Sequence, residues 1–456
     1  MKKILLTTTA LMTVFCMHTA LAAPKKKKML KKEVHAHSPL HVNVNGVLDA
    51  QAGFRSQSSK HVKNAAGEKI GVTKYNKDVG FDTEGRINVE AKGKTQKGLL
   101  YGANIGVDVN VSDSLDSEVN GKKSSSLMKR RTFVYLEDKD MGRLELGNRE
   151  GASETMLPTA EGVAVATGGI GGDWYKYVQT STVPRTDGSF TETVTTNNFY
   201  MGAGSLLDNG TDMSSTSQKS RKVTYYTPKI KDTGLGFGIS YIPDSENNVG
   251  SYPNKKTVLG SPSVPDAAKG DKGYKNGFVA AIDWQYKINK DNTFKMAVVG
   301  ERGELPKTLK SSFHKAQTVG VGATHMYKDF SGVISYNYLG KSGLQKGGTE
   351  KVKKNNYVAT LGFAYDIDHK TKVSLTGLMS EKWKNKFYNI SLGAQYQLAP
   401  GLLPYAEVSF FDMKQKYNYV SNNGTDSSGG TAKAFAKGRL RSVLGSVAEQ
   451  VSFASV

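Results

Sequence analysis

The side chains best placed to do chemistry in this chain are carboxylates gathered in one stretch. Residues 150–218 carry Glu150, Glu154, Glu161, Asp173, Asp187, Glu192, Asp208 and Asp212 against only Lys176 and Arg185, a net of −6. The whole chain has 62 Lys+Arg and 41 Asp+Glu, a formal charge of +21. An acidic island in a basic protein acts on ions and polar solutes through its field. The plainer alternative is an exposed acidic loop that keeps the surface soluble. Bond-making chemistry has no comparable support. The eight histidines show no metal-protease spacing, and no Ser-His-Asp set can be placed. The run Gly168-Gly169-Ile170-Gly171-Gly172 lacks the Lys and Ser/Thr of a phosphate loop and precedes no helical pattern. His35, His37 and His41 are close together in a Lys-rich tail, where adjacent histidines more often do nothing specific. No catalytic residue, metal site or cofactor is assigned.

Residues 1–22 read as a secretory signal peptide. Lys2 and Lys3 supply the charged start, residues 4–19 the mostly apolar stretch, and Ala20-Leu21-Ala22 the small-x-small cleavage site. The single cysteine, Cys16, falls inside it, so the mature chain is expected to contain no disulfide, thiol nucleophile or thiolate metal site. Without Lys2 and Lys3 the balance is 60 basic to 41 acidic residues, or +19. Residues 23–39, with Lys25 to Lys28, Lys31 and Lys32 against Glu33, form a solvated basic segment. A basic balance would also suit nucleic acid, but secretion and the pattern that follows argue against that partner.

From residue 40 apolar side chains recur at every second position. Leu40, Val42, Val44, Leu48, Ala50, Ala52 and Phe54 share one parity, and His41, Asn43, Asn45, Asp49, Gln51 and Arg55 the other. Val79, Phe81, Ile87 and Val89 likewise oppose Asp78, Asp82, Glu84 and Arg86. This period of two extends well beyond the usual globular strand of about 5–6 residues. One apolar, aromatic-ended face and one charged, Gly-containing face suit a strand that crosses a membrane. Outside residues 1–22 no apolar run approaches the roughly 18–20 residues of a spanning helix. Lipid leaves closed barrels as the one way for strands to satisfy their backbone.

Sixteen such segments fall at about 40–56, 78–96, 99–112, 128–138, 143–149, 220–228, 234–242, 275–288, 292–302, 314–326, 330–340, 354–367, 371–382, 386–398, 402–416 and 434–453. The links after even-numbered segments are short, and those after odd-numbered ones are longer, apart from 383–385. That asymmetry belongs to an outer-membrane barrel, with short periplasmic turns and long extracellular loops. The predicted fold is therefore all-β, a transmembrane antiparallel barrel over residues 40–456.

Several stretches carry a closer likeness. They are Gly85-Arg86-Ile87 leading to Gly98-Leu99-Leu100-Tyr101-Gly102-Ala103, and Gly142-Arg143-Leu144-Glu145-Leu146-Gly147-Asn148. Val223-Thr224-Tyr225-Tyr226-Thr227-Pro228 precedes Gly236-Phe237-Gly238-Ile239-Ser240-Tyr241, and Ala394-Gln395-Tyr396-Gln397-Leu398-Ala399-Pro400-Gly401 precedes Tyr405-Ala406-Glu407. In order and spacing the chain resembles the general porins of alphaproteobacteria, sixteen-stranded and usually trimeric outer-membrane channels. The resemblance implies passage of small hydrophilic solutes, a homotrimer, and contacts with outer-membrane lipid, lipopolysaccharide and the barrel assembly machinery. It also implies that residues 150–218 are a constriction loop folded into the lumen, with Glu150, Glu154, Glu161 and Asp173 facing basic side chains on the wall. Strand parity selects Arg55, Arg86 and Arg143 as those wall residues, whereas Arg130-Arg131 straddles both faces. The chain departs from the family at its end, where Ala454-Ser455-Val456 follow the aromatic candidate Phe453. A substrate-selective channel, or a surface adhesin that conducts nothing, are the competing functions.

Overall fold

Alternating side chains point to opposite faces of an extended backbone, so each segment above has one apolar and one polar face to place. The computed structural model describes residues 40–57, 60–63, 69–73, 78–110, 126–174, 182–184, 190–192, 199–209, 220–231, 233–245, 274–311, 313–344, 346, 356–415 and 438–454. The predicted signal peptide and basic segment lie outside them. The strands are β1 His41–Gln57, β2 Asp78–Lys94, β3 Leu100–Asn110 and β4 Ser126–Asp138. They continue with β5 Gly142–Asn148, β6 Arg221–Tyr226, β7 Leu235–Asp244 and β8 Lys275–Asn289. Next come β9 Asn292–Glu304, β10 Ala316–Tyr327, β11 Phe330–Gly340 and β12 Asn356–Asp366. The last four are β13 Thr371–Lys382, β14 Asn385–Tyr396, β15 Leu402–Gln415 and β16 Gly438–Ala454. Every predicted segment is present, 330–340 and 371–382 with the same ends and the others with ends displaced by up to four residues.

Each strand pairs antiparallel with its chain neighbours, and β1 also pairs with β16, from Asn45 opposite Ala454 to Gln57 opposite Ser442. The sheet closes as a sixteen-stranded barrel. Closure leaves no row of unpaired backbone groups, which is what lets strands cross lipid. Connections of two to eight residues gather at one end of the barrel, and all the long ones at the other, with the two-residue link 383–384 the exception among the latter. Among the described residues two small hairpins form sheets of their own within long loops, Lys60–Lys63 with Lys69–Thr73 and Thr182–Pro184 with Phe190–Glu192. At the turn into β5 only glycine fits: Gly142 has φ +87°, and a Cβ there would lie 2.1 Å from the Tyr226 carbonyl oxygen.

The faces are inverted relative to a soluble protein. Leu48, Phe54, Phe81, Ile105, Ile239, Val298, Ile334, Leu361, Ile390 and Phe410 point outward and are exposed, while Gln51, Lys222, Thr224, Ser240, Glu301, Thr360, Thr376, Ser391 and Glu407 are buried inside. An apolar belt of this extent needs lipid around it. Outward aromatics border the belt: Tyr101, Tyr286, Tyr365 and Tyr396 toward the short turns, and Tyr241, Phe278, Tyr338, Tyr357 and Tyr388 toward the long loops. Such rows mark the two membrane–water interfaces. No described helix is long and apolar enough to cross a membrane.

The apolar core lies inside the barrel, between its wall and the loop that joins β5 to β6. Met156, Leu157, Val163, Ile170, Trp174, Phe199 and Leu206 of that loop pack with Val279, Val299, Val358, Leu378, Phe387 and Phe411 of the wall. Trp174 is almost fully buried, its ring 5.4 Å from Phe387 and 5.1 Å from Phe411.

Candidate functional site: the lumen and its constricting loop

The loop is tied shut at its root. Asp208 and Lys222 form an ion pair with side-chain exposures of 0% and 2%. The Gly151 N–H donates to Asp208 Oδ2 at 2.8 Å and the Ser220 hydroxyl to Asp208 Oδ1 at 2.9 Å, so one carboxylate joins the two ends of the excursion. Lys222 Nζ donates to the Ser220 carbonyl at 2.8 Å and also to that of Arg149. Every lone pair and proton of the pair that needs a partner has one, which is the condition for burying two charges.

From that root the loop runs along the inner wall, and the wall's short polar side chains satisfy its backbone. The first turn, α1 Ala152–Met156, begins where the Ala152 N–H donates to Ser240 Oγ at 2.9 Å. The Ser153 hydroxyl donates to Glu301 at 2.6 Å, and the Leu206 N–H of the returning limb to the same carboxylate at 3.0 Å. Further on, the N–H groups of Ala160, Val165 and Ile170 donate to Thr360, Ser374 and Thr376 at 3.1, 3.0 and 3.2 Å. Gly169 N–H and the Thr167 hydroxyl both donate to Glu407, at 3.1 and 2.8 Å. Returning, Tyr200 and Ala203 offer their carbonyls to Ser380 and Asn337. The described limbs of the acidic loop, residues 149–174 and 199–209, thus lie inside the barrel, and for them the soluble-surface alternative is set aside.

The predicted loop carboxylates separate into two groups. Glu150, Glu154 and Glu161 line a cavity of about 750 Å³. The same cavity is lined by Arg131, Arg149, Lys295 and Lys372 from β4, the start of the loop, β9 and β13. Glu150 accepts from Arg131 Nε at 2.8 Å, and Glu161 from the Ala203 N–H at 3.4 Å. Asp173 is elsewhere. It is 9% exposed and accepts from Gln51 of β1, beside Asp49, which the Tyr405 hydroxyl holds at 2.8 Å. Asp173 fastens the far end of the loop to the wall.

The predicted wall residues are not the ones that line the cavity. Arg86 projects inward, 40% exposed, and donates to Asp108 directly across the strand pair at 3.0 Å. Arg143 lies next to the short turn 139–141, bonded to Glu145 and Glu137 at 2.6 Å each and stacked 4.0 Å over Tyr135. Neither lines the cavity that the loop carboxylates share. Arg55 pairs with Asp78 in the β1–β2 register, and its side chain lies outside the described residues. The Arg130-Arg131 ambiguity resolves in a bulge: Gly106 pairs with Arg131 and Val107 with Lys129, leaving Arg130 as the extra residue. Arg131 then shares inward parity with Phe133 and Tyr135. Lys295 and Lys372 oppose the outward Met296 and Leu375, a signal that was present in their strand parity.

A closed sixteen-stranded barrel with an apolar exterior, a charged lumen and a loop folded inside it defines an outer-membrane β-barrel channel. The Gram-negative porin family matches this chain over residues 7–416, and the chain belongs to that family. Family and fold are those of non-enzymatic channels of the outer membrane. An uncharacterized protein of Rickettsia felis is 27% identical over 468 residues, covering 94% of this chain and 98% of its own. Another from Rickettsia typhi is 28% identical over 396 residues, covering 79% and 84%. Among solved structures, an anion-selective porin from Comamonas acidovorans superposes with a TM-score of 0.52 at 14% identity, covering 91% of this chain and all of that one. At that identity the likeness is one of fold.

Proposed function

We propose that the chain is exported through its signal peptide, assembles as an outer-membrane homotrimer, and lets small hydrophilic solutes and ions diffuse passively across the membrane. The observation that carries this is the 750 Å³ cavity, which holds loop carboxylates and wall cations together beside a loop pinned to the barrel. A wide barrel leaves water in its lumen, and a rigid loop narrows that lumen without closing it. Glu150, Glu154 and Glu161 of the loop, with Arg131, Arg149, Lys295 and Lys372 around the same cavity, set a field in it. Opposite charges partly cancel along the axis, so ion selectivity is mild. Solutes that carry dipoles orient in such a field, whereas apolar ones would shed water that the charges hold.

The test is conductance of purified protein in a planar bilayer, with liposome swelling for neutral sugars of graded size. Ohmic conductance and a size cut-off without sugar preference support the reading. Saturable flux of one sugar would make it a selective channel. Folded, inserted protein that passes no current would leave the adhesin.

A further inference from the structure

The ladder between β10 and β11 stops short of the strands' own ends. It runs from Tyr327 opposite Phe330 to Val319 opposite Tyr338, although β10 begins at Ala316 and β11 continues to Gly340. On its other side β11 carries a bulge: Tyr338 faces Tyr357 and Gly340 faces Asn356, which leaves Leu339 as the extra residue. Gly340 then takes φ +54°. A bulge bends its strand, and here it turns β11 away from β10. The Ser342 hydroxyl stands in for the missing rung, accepting from the Gln317 N–H at 2.9 Å and donating to the Gln317 carbonyl at 3.0 Å. One side chain holds the strands where backbone pairs would otherwise close them.

A cavity of about 870 Å³ lies at this seam and is lined from both faces of the wall. Arg302, Val319 and Tyr338 have outward parity and are exposed, whereas Glu301 and Thr318, paired across β9 and β10, have inward parity. Glu301 and Thr318 also line the lumen cavity, so the two spaces share this pair. Successive side chains of a strand point to opposite faces, and a space bordered by both marks a break in the sheet. Val319 and Tyr338 are the last of the outward apolar band, which puts the break where hydrocarbon gives way to water. Arg302, Lys310, Lys315, Lys341 and Lys346 line it, with the buried Leu305 and Phe313. Among the described residues the carboxylates lining it are Glu301 and Glu304. Glu304 is 3.4 Å from Arg302, and Glu301 accepts from Ser153, Leu206 and Thr318.

We infer that the β10–β11 seam is a side entrance to the lumen for amphipathic anions, such as alkyl sulfonates and alkyl carboxylates. A fully hydrophilic solute gains nothing from it, because the mouth of the barrel takes solutes directly from water. A solute with an apolar tail concentrates at the membrane surface instead, since burying that tail removes it from water, and the seam lies at that depth. Ammonium groups select its charged end through charge-assisted hydrogen bonds, the tail lies along Val319 and Tyr338, and Thr318 marks the step into the lumen. The inference rests on the reading of the chain as a channel in lipid and extends it to a class of solute.

The experiment compares methanesulfonate and octanesulfonate, which share a permanently charged head, as they enter phosphatidylcholine liposomes containing the full-length protein. Glucose entry is followed alongside, and protein-free liposomes supply the background. Lys341→Cys, in a Cys16→Ser background, is measured before and after complete modification with pyrene maleimide, a bulky uncharged group that fills the cavity. Octanesulfonate should enter faster than methanesulfonate through the unmodified protein. Modification should abolish that advantage and leave methanesulfonate and glucose entry unchanged, which also shows that the barrel is intact. Lys310→Gln with Lys315→Gln should slow octanesulfonate roughly tenfold by removing the attraction at the entrance. Octanesulfonate entry that modification does not alter overturns the inference, as does an equal slowing of all the probes, because either result sends the tailed anion through the mouth. Octanesulfonate that enters wild-type protein no faster than methanesulfonate overturns it too. Absence of glucose entry, with the octanesulfonate advantage intact, counts against the reading as a general diffusion channel and not against the side entrance.

Discussion

The inner wall divides into two regions with the same alternation and different chemistry. On β7 and β11 to β15, where the loop lies against it, a recurring set of inward residues is small and hydroxylated: Ser240, Ser335, Thr360, Ser374, Thr376, Ser380, Ser391 and Ser409. On β2 to β5 they are long and charged, and they pair with one another. Arg86 meets Asp108, Arg143 meets Glu137 and Glu145, Arg149 meets Glu145, and Arg131 reaches Glu150 at the loop's start. The difference follows from what each region faces. A backbone laid on the wall has N–H groups that need acceptors at close range, and a Ser or Thr hydroxyl supplies one without holding the chain away. A wall that faces water can carry charges at little cost, and the pairing keeps their field local. Inward polarity thus means adhesive for a loop in one half and lining for a channel in the other.

The contrast is most easily broken at the loop's root. Asp208→Ala leaves Lys222 buried without its carboxylate, which costs about 4 kcal/mol. The expected outcome is a larger, noisier conductance in the bilayer. Lys222→Met in the same protein should restore part of the stability in a denaturant titration, because the uncompensated charge is then gone. Slightly below this comes Trp174→Ala, which empties the space between Phe387 and Phe411 and costs about 3 kcal/mol. Faster amide exchange at Ile170 and Gly169, with β2 to β5 unaffected, is the readout.

Effects in the open half are smaller and of another kind. Arg131→Gln removes one cationic partner of Glu150 and one positive charge from the cavity, which makes it more favourable to cations. The cation-to-anion permeability ratio should rise about twofold, the size expected of a partly exposed pair, and the zero-current potential across a salt gradient measures it. The smallest effect belongs to neither half. Asp368, in the short turn between β12 and β13, accepts from the Lys370 and Thr371 N–H groups, and those bonds hold its carboxyl below the ordinary 3.8. Its contribution to the turn is complete above that ordinary value and is lost as the pH falls below it through the lowered one. Asp368→Asn should speed exchange of those two amides at neutral pH and flatten its dependence on acid.

The strands and their faces were legible because lipid outside and water inside impose a period of two on every segment. The loop's place inside the lumen was implied by resemblance and by its charge, while its path was not. That path depends on which hydroxyls stand opposite which N–H groups, and residues such as Ala160 and Thr360 are two hundred positions apart. The Asp208–Lys222 pair was hidden for the same reason. Asp208 looked like one more loop carboxylate until the fold brought Lys222 beneath it. Arg86 and Arg143 were correctly given inward parity, but parity carries no information about height along the barrel, and Arg143 sits at the wrong level to meet the loop. Arg131 was obscured by a bulge, since one extra residue changes the face of everything after it and an Arg-Arg pair does not say which arginine is extra.

The account stands most directly on whether the two halves differ in access to water. Arg86→Cys and Ser374→Cys, each in a Cys16→Ser background, can be compared as single channels in a bilayer during addition of methanethiosulfonate ethylammonium. Arg86→Cys should react and lower the conductance in discrete steps, because its side chain lines the open lumen. Ser374→Cys, covered by the loop at Val165, should leave the current unchanged over the same time. Reaction of Ser374→Cys as fast as Arg86→Cys would show that the loop does not lie on that wall.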